Sequence, residues 1–158
     1  EIVSKLALFY KLSLNHGKEL HPLADELCLV SSYFDIQRIR FQNKLHLEID
    51  VPEQFMQILI PPITLQPLVE NSILHGIRER EDKCGCITIQ AKAESNILNI
   101  SSMNDMLIEN EPINSTLKDT HYGLRNINQR IQLMFGTEFG LRISDVSKGS
   151  AVIVLLPQ

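Results

Sequence analysis

Apolar positions change period along this chain, and each change marks an element. Ile2, Leu6, Phe9 and Leu12 share one face of a helix running from Glu1 to about Leu14. Asn15, Gly17 and Pro22 end it and open the next element. A second helix is predicted from about Leu23 to Phe41, with Leu27, Val30, Phe34 and the stretch from Ile36 to Ile39 as its apolar face. Asp25, Glu26, Asp35 and Arg38 are expected on its other, solvated side. The period then falls to two. Leu45, Leu47, Ile49 and Val51 alternate with His46, Glu48 and Asp50, the mark of a strand with one buried face, stopped at Pro52.

A turn or short helix over Glu53 to Gln57 leads to Pro61-Pro62. Thr64 is the expected N-cap of a helix from Leu65 to His75, with Pro67 in its first turn, where a missing amide costs little. Strands follow at Cys86 to Ala93 and Ile97 to Met103. Asp105 to Thr120 is polar, aperiodic and contains Pro112, and is expected to form a mobile loop. A helix from about Gly123 to Phe135 carries Leu124, Ile127, Ile131 and Met134 on one face, and Gly136 suits its C-terminal cap. Strands over Gly140 to Val146 and Ser150 to Leu156 complete the pattern. Helices segregated from an antiparallel-leaning sheet predict an α+β fold, a two-layer α/β sandwich. A helical segment over residues 1–42 precedes an α/β domain over residues 43–158.

Composition narrows the function classes. With 44% apolar and 22% charged residues, the chain has the balance of a soluble globular domain. Its net charge of -4 argues against nucleic-acid binding, which needs clustered cations. No apolar run approaches the roughly 20 residues that span a bilayer. The run from Ile58 to Ile63 is interrupted by Pro61 and Pro62. The chain opens in a helical pattern without a secretory signal, so it is expected to be an excised soluble piece, with any membrane segment upstream. Three cysteines, Cys28, Cys84 and Cys86, fit a reducing compartment better than a disulfide scaffold. Cys84-Gly85-Cys86 lacks partners at zinc-ligand spacing and reads as a turn entering a strand.

The most specific segment is Leu65-Gln66-Pro67-Leu68-Val69-Glu70-Asn71-Ser72-Ile73-Leu74-His75-Gly76. It resembles the N box of sensor histidine kinases of the LytS/YesM type, which commonly reads LQPLVENAIKHG. Tyr33 to Phe41 resembles that family's YLxIQxxRF helix, and Ile60-Pro61-Pro62 its IPP entry. Gly123-Leu124-Arg125-Asn126-Ile127 with Arg130, then Phe135-Gly136, resembles GLxNxxxRLxxxYG, and Gly149-Ser150-Ala151-Val152 resembles the closing GTxV. The similarity follows the family's order and spacing over nearly the whole chain.

The resemblance implies the histidine-kinase/gyrase-type ATPase fold, with residues 1–42 as the end of the dimerisation and phosphoacceptor region. It also implies ATP and Mg2+ as cofactors, a response regulator as partner, a homodimer, and a place as the cytoplasmic domain of a membrane-anchored sensor. The Asn71 amide oxygen suits magnesium, a hard cation that otherwise keeps waters and phosphate oxygens. Glu70 suits the orienting or deprotonation of a reacting group. Free amides where Gly123 and Leu124 open a helix suit phosphate oxygens, and Arg125 adds a charged donor. Asn104 or Asp105 stands where the family reads adenine, and Gly149 and Ser150 complete the nucleotide set. His75 is open to two readings, as a nucleotide contact or as a partner of its helix's last carbonyls.

The chain departs from the family in three places. The Asp-x-Gly-x-Gly box is Asn104-Asp105-Met106-Leu107-Ile108, with Met106 and Ile108 in place of both glycines. The phosphate loop is His121-Tyr122-Gly123-Leu124, keeping only the second glycine. Leu74 stands where a basic residue is common. No NPHFLFN-like acceptor motif is present, and His16 and His21 read as turn residues. The function implied is therefore ATP binding and γ-phosphate transfer to a histidine upstream of this chain. The alternative is a degenerate relative acting by dimerisation and partner contact.

Overall fold

The structure is a computed structural model that describes residues 10, 19–77, 81–94, 97–104, 122–146 and 149–157, with backbone alone at 75–76, 101–104, 122, 143–146 and 149–150. The predicted first helix and the Asp105 to Thr120 loop lie outside the described residues, apart from Tyr10. A two-residue strand β1 (His21–Pro22) leads into helix α1 (Leu23–Arg40). Strand β2 (Leu45–Asp50), a 3-10 turn (Glu53–Phe55) and the short strand β3 (Leu59–Ile60) precede helix α2 (Gln66–Asn71). A π-turn (Ser72–Gly76) continues α2. Strands β4 (Gly85–Glu94) and β5 (Ile97–Asn104), helix α3 (Tyr122–Phe135), and strands β6 (Gly140–Val146) and β7 (Gly149–Pro157) follow.

Five strands form one sheet in the order β2-β4-β5-β7-β6, while β1 and β3 pair separately. All neighbours in the large sheet are antiparallel except β2 and β4. A parallel pair needs a crossover connection, and this crossover carries α2. The helices line one face: α1 packs on α2 and β2, and α3 on α2, β6 and β7. Leu27, Val30 and Phe34 of α1 share one core with Leu68 and Val69 of α2, Ile127 and Ile131 of α3, and Ile87, Ile89, Leu98, Ile100, Val152 and Val154 of the sheet. The other face of the sheet is polar at its β2 edge, where Gln90 donates to Asp50 at 3.1 Å and Thr88 pairs with Glu48 at 3.5 Å. The two-layer α/β sandwich expected from the pattern is the fold observed.

Local chemistry accounts for the element ends. Asp25 and Glu26 occupy the first turn of α1 and Arg38 and Arg40 the last, complementing the helix dipole. Gly136 ends α3 at φ +115°, a backbone conformation that side chains disfavour. Gly85 lets β4 pass close to the buried Ile77, whose side chain would overlap a methyl group at that position.

Three sequence expectations need correction. Glu26 is not solvated but fully buried. It lies in phase with Leu23 and Val30, on the stripe that faces α2 rather than on the opposite side. Thr64 does not cap α2: its hydroxyl donates to the Pro61 carbonyl at 2.6 Å, and the N-cap position is Leu65, without a side-chain cap. Ile39, Ile49 and Met134, expected on buried faces, are exposed.

Candidate nucleotide site

The entry to α2 is built around one carboxylate. Glu26 accepts the backbone N–H groups of Ile63, Thr64 and Leu65, the last two at 2.8 Å. It thereby supplies, from another helix, the acceptor that an N-cap side chain would normally provide. Arg130 of α3 reaches the same turn, donating to the Ile63 carbonyl at 3.2 Å and lying 3.5 Å from the Thr64 hydroxyl. Burial lowers the Arg130 pKa, and the nearby Glu26 charge opposes that shift. His21 Nε2 lies 2.9 Å from Glu26 Oε1, yet off the direction a hydrogen bond requires, so the contact is a short electrostatic approach. Three elements, α1, α2 and α3, are thus tied at one buried point. Sequence reasoning missed this use of Glu26 and Arg130; the helical phase of Glu26 with Leu23 and Val30 was the available signal.

At the other end of α2 stand Glu70 and Asn71, both half-buried. The helix widens from α to π immediately after Asn71. Such wide turns leave backbone out of the regular ladder and recur at functional sites. Ser72, buried, returns its hydroxyl to the Leu68 carbonyl at 3.0 Å. Glu70 is hydrogen-bonded by Tyr33 of α1, and Tyr33 in turn by Gln37. Burial first, then the charge and hydrogen bond of Glu70, hold the Tyr33 phenol far above its ordinary value. The backbone of His75 lies within the π-turn.

Helix α3 begins at Tyr122, one residue before the predicted start. Gly123 lies beside α2, where a methyl group would sit 3.7 Å from Pro67. That distance is ordinary contact, so no steric demand for glycine arises there. Leu124 is buried in the core, which leaves only its backbone for a ligand, while Arg125 is exposed. Asn104, at the end of β5, stands directly opposite Ser150 in the ladder, next to Gly149 at the start of β7. Asp105 lies outside the described residues. The structure thus puts Gly123 of α3 beside Pro67 in the first turn of α2, and pairs Asn104 with Ser150 at one end of the sheet.

The donor set fits a magnesium nucleotide in kind. One half-buried amide at Asn71 suits a cation that takes most of its ligands from phosphate and water. Among the described residues no group of three or more His, Cys, Asp or Glu side chains could hold a metal ion by itself. A groove of about 770 Å³ lies elsewhere, between α1 and β2, lined by residues such as Phe34, Arg38, His46 and Cys86. None of the candidate residues lines it.

Residues 1–45 match the family model for histidine kinases. The chain is 32% identical over 158 residues to sensor histidine kinase YesM of Bacillus subtilis (strain 168), covering 99% of this chain and 27% of YesM. It is 33% identical over 167 aligned positions to sensor protein LytS of Oceanobacillus iheyensis, covering 99% of this chain and 28% of LytS. It thus spans about a quarter of the length of these relatives. Its fold matches the catalytic domain of histidine kinase ThkA with a TM-score of 0.65 at 16% identity, over 87% of this chain and 93% of that one. ThkA in complex with response regulator protein TrrA aligns at a TM-score of 0.54 and 17% identity, over 98% of this chain and 48% of that one. Given this similarity along nearly its entire length, the chain belongs to the sensor histidine kinases of the LytS/YesM type, with the fold of a histidine kinase catalytic domain.

Proposed function

We propose that this chain binds ATP with Mg2+ and transfers the γ-phosphate to a histidine outside it, as the catalytic part of a two-component sensor kinase. The observation that carries the reading is the pairing of α2 and α3. It places Glu70 and Asn71 on one helix and the Gly123 amide with Arg125 on the next. Asn71 would hold the metal, which when bound neutralises phosphate charge. The amides of Gly123 and Leu124 and the guanidinium of Arg125 bind phosphate oxygens. Asn104, with Asp105 next to it, reads adenine, while Ser150, Gly149 and His75 border the nucleotide.

Glu70 acts on the acceptor. A neutral imidazole attacks phosphorus through one nitrogen while the other carries a proton. Glu70 accepts a hydrogen bond from that N–H, turning the free nitrogen toward the phosphate and stabilising positive charge as the N–P bond forms and the P–O bond to ADP breaks. The division at residue 42 is one of role, since in packing α1 and the sheet share a core. The phosphorylated histidine serves a response regulator; histidine kinase ThkA, whose fold this chain shares, has been solved in complex with response regulator protein TrrA. The active form is a homodimer, in the cytoplasmic part of a membrane-anchored sensor. Among the described residues no helix is long and apolar enough to cross a membrane.

The degenerate boxes at Asn104 to Ile108 and His121 to Gly123 favour a second reading, dimerisation and partner contact without turnover. Calorimetric titration with Mg-ADP decides between them. Heat in the parent that vanishes in Asn71→Ala, or on removal of magnesium, is the expected result. A silent parent titration would favour the second reading, and an unchanged Asn71→Ala would remove that residue from the site.

A further inference from the structure

Helix α1 presents two stripes to the rest of the domain. One is apolar and belongs to the core, through Leu23, Leu27, Val30 and Phe34. The other is polar. Tyr33, Gln37 and Arg40 are spaced by four and three residues, so they lie on one face of the helix. Tyr33 is the buried member of this stripe, 9% exposed, and its hydroxyl meets Glu70 at the end of α2. An ionised carboxylate only accepts hydrogen bonds, so Tyr33 is the donor and Glu70 the acceptor. Gln37 donates to the same phenol oxygen, and the Arg40 charge acts on it from the next turn.

We infer that Tyr33 is a positioning residue for the phosphotransfer, fixing the Glu70 carboxylate so that one oxygen is engaged within the protein and the other is left to take the acceptor histidine. The inference rests on the proposed role of Glu70. A glutamate carboxylate turns about a broad terminal torsion, and a fixed donor selects one orientation. A misplacement of about 1 Å at a reacting group can cost on the order of a hundredfold in rate. Burial keeps the Tyr33 phenol protonated well into the alkaline range, so the donor persists wherever the kinase works. Gln37, donating to the phenol oxygen, turns the hydroxyl hydrogen away from itself and toward Glu70. Because α1 also carries Glu26, which ties down the entry of α2, the same helix sets both ends of the segment bearing Glu70 and Asn71.

The test uses the intact kinase that contains this chain, measuring histidine phosphorylation from ATP in four forms: parent, Tyr33→Phe, Glu70→Gln and the double variant. Tyr33→Phe keeps the ring and its packing. It should lower kcat by about tenfold, the size of one hydrogen bond to a charged group, with KM for ATP and Mg-ADP affinity within about twofold of the parent. In the Glu70→Gln background the same change should add almost nothing. Gln37→Leu, away from the core, should lower kcat in the same direction and also lose its effect once Glu70 is glutamine. Parental kcat in Tyr33→Phe, an equal loss in both Glu70 backgrounds, or a raised KM with unchanged kcat would each overturn the positioning role while leaving Glu70 in place. A Glu70→Gln enzyme running at the parental rate would overturn the role of Glu70 and the inference together.

Discussion

The buried carboxylate of Glu26 accepts the backbone N–H of Leu65 at 2.8 Å, across a separation of 39 residues. This bond replaces the local cap that α2 lacks, and it makes the orientation of the candidate catalytic helix depend on α1. Removing the acceptor strands the amides of Ile63, Thr64 and Leu65 at the entry of α2. Glu26→Ala should therefore cost at least about 1–3 kcal/mol of stability, the cost of a buried donor left without its acceptor. Urea denaturation measures it directly. A loss below about 1 kcal/mol would show that water replaces the carboxylate without difficulty.

The raised pKa of Tyr33 should make stability fall at alkaline pH. An ordinary phenol releases its proton near the model value of 10.0, whereas burial and Glu70 hold Tyr33 well above it. Above that pH the unfolded chain therefore binds fewer protons than the folded one, and stability falls as pH rises. The contribution is complete below about pH 10 and drains away above it, by at most about 1.4 kcal/mol per pH unit. Denaturant midpoints compared at about pH 9 and about pH 11 should fall further in the parent than in Tyr33→Phe. Equal falls would mean that the phenol ionises without penalty.

In the proposed site Asn104 is the residue that reads adenine. Its place opposite Ser150 at the end of β5 puts it at the rim of the sheet beside Gly149. A neutral amide accepts a hydrogen bond more weakly than a carboxylate, and the difference amounts to about one tenfold step in affinity. Asn104→Asp should tighten ADP binding by about that factor, while Asp105→Asn leaves it nearly unchanged. If Asp105→Asn is instead the damaging change, the adenine-reading position is Asp105.

The junction of α3 with β6 gives a test of coupling. Gly140 has φ +128°, and a methyl group there would overlap Asn128 Oδ1, which accepts the Leu141 N–H at 2.8 Å. Gly140→Ala should cost about 1–3 kcal/mol through backbone strain and this overlap. Part of that cost should disappear in an Asn128→Ala background, where the overlap is gone. Chemical denaturation of the single and double variants checks it; strictly additive losses would rule out the contact.

What was legible in the sequence follows from local physics. Alternation at Leu45 to Val51 and helical spacing at Leu124, Ile127 and Ile131 marked elements that the structure keeps within a residue or two, because a buried face imposes its period on the chain. Gly136 announced the end of α3, since the positive φ there suits few other residues. The run from Leu65 to Gly76 named the family. The π-turn after Asn71 did not show, and neither did the parallel pairing of β2 with β4 or the separate β1–β3 ribbon, both of which depend on partners distant in sequence. The same holds for charge. A glutamate on a helix is solvated by default, and only the arrival of the α2 entry turn and Arg130 made burial of Glu26 favourable. Likewise Tyr33 stood in a matched motif and Glu70 carried a candidate role, but their hydrogen bond exists only because core packing lays α1 against α2. Sequence by itself determined the main helices and strands, the layer architecture and the residues of the proposed site. Tertiary structure decided which of those residues meet, since contact between distant positions is a property of packing that no local pattern encodes.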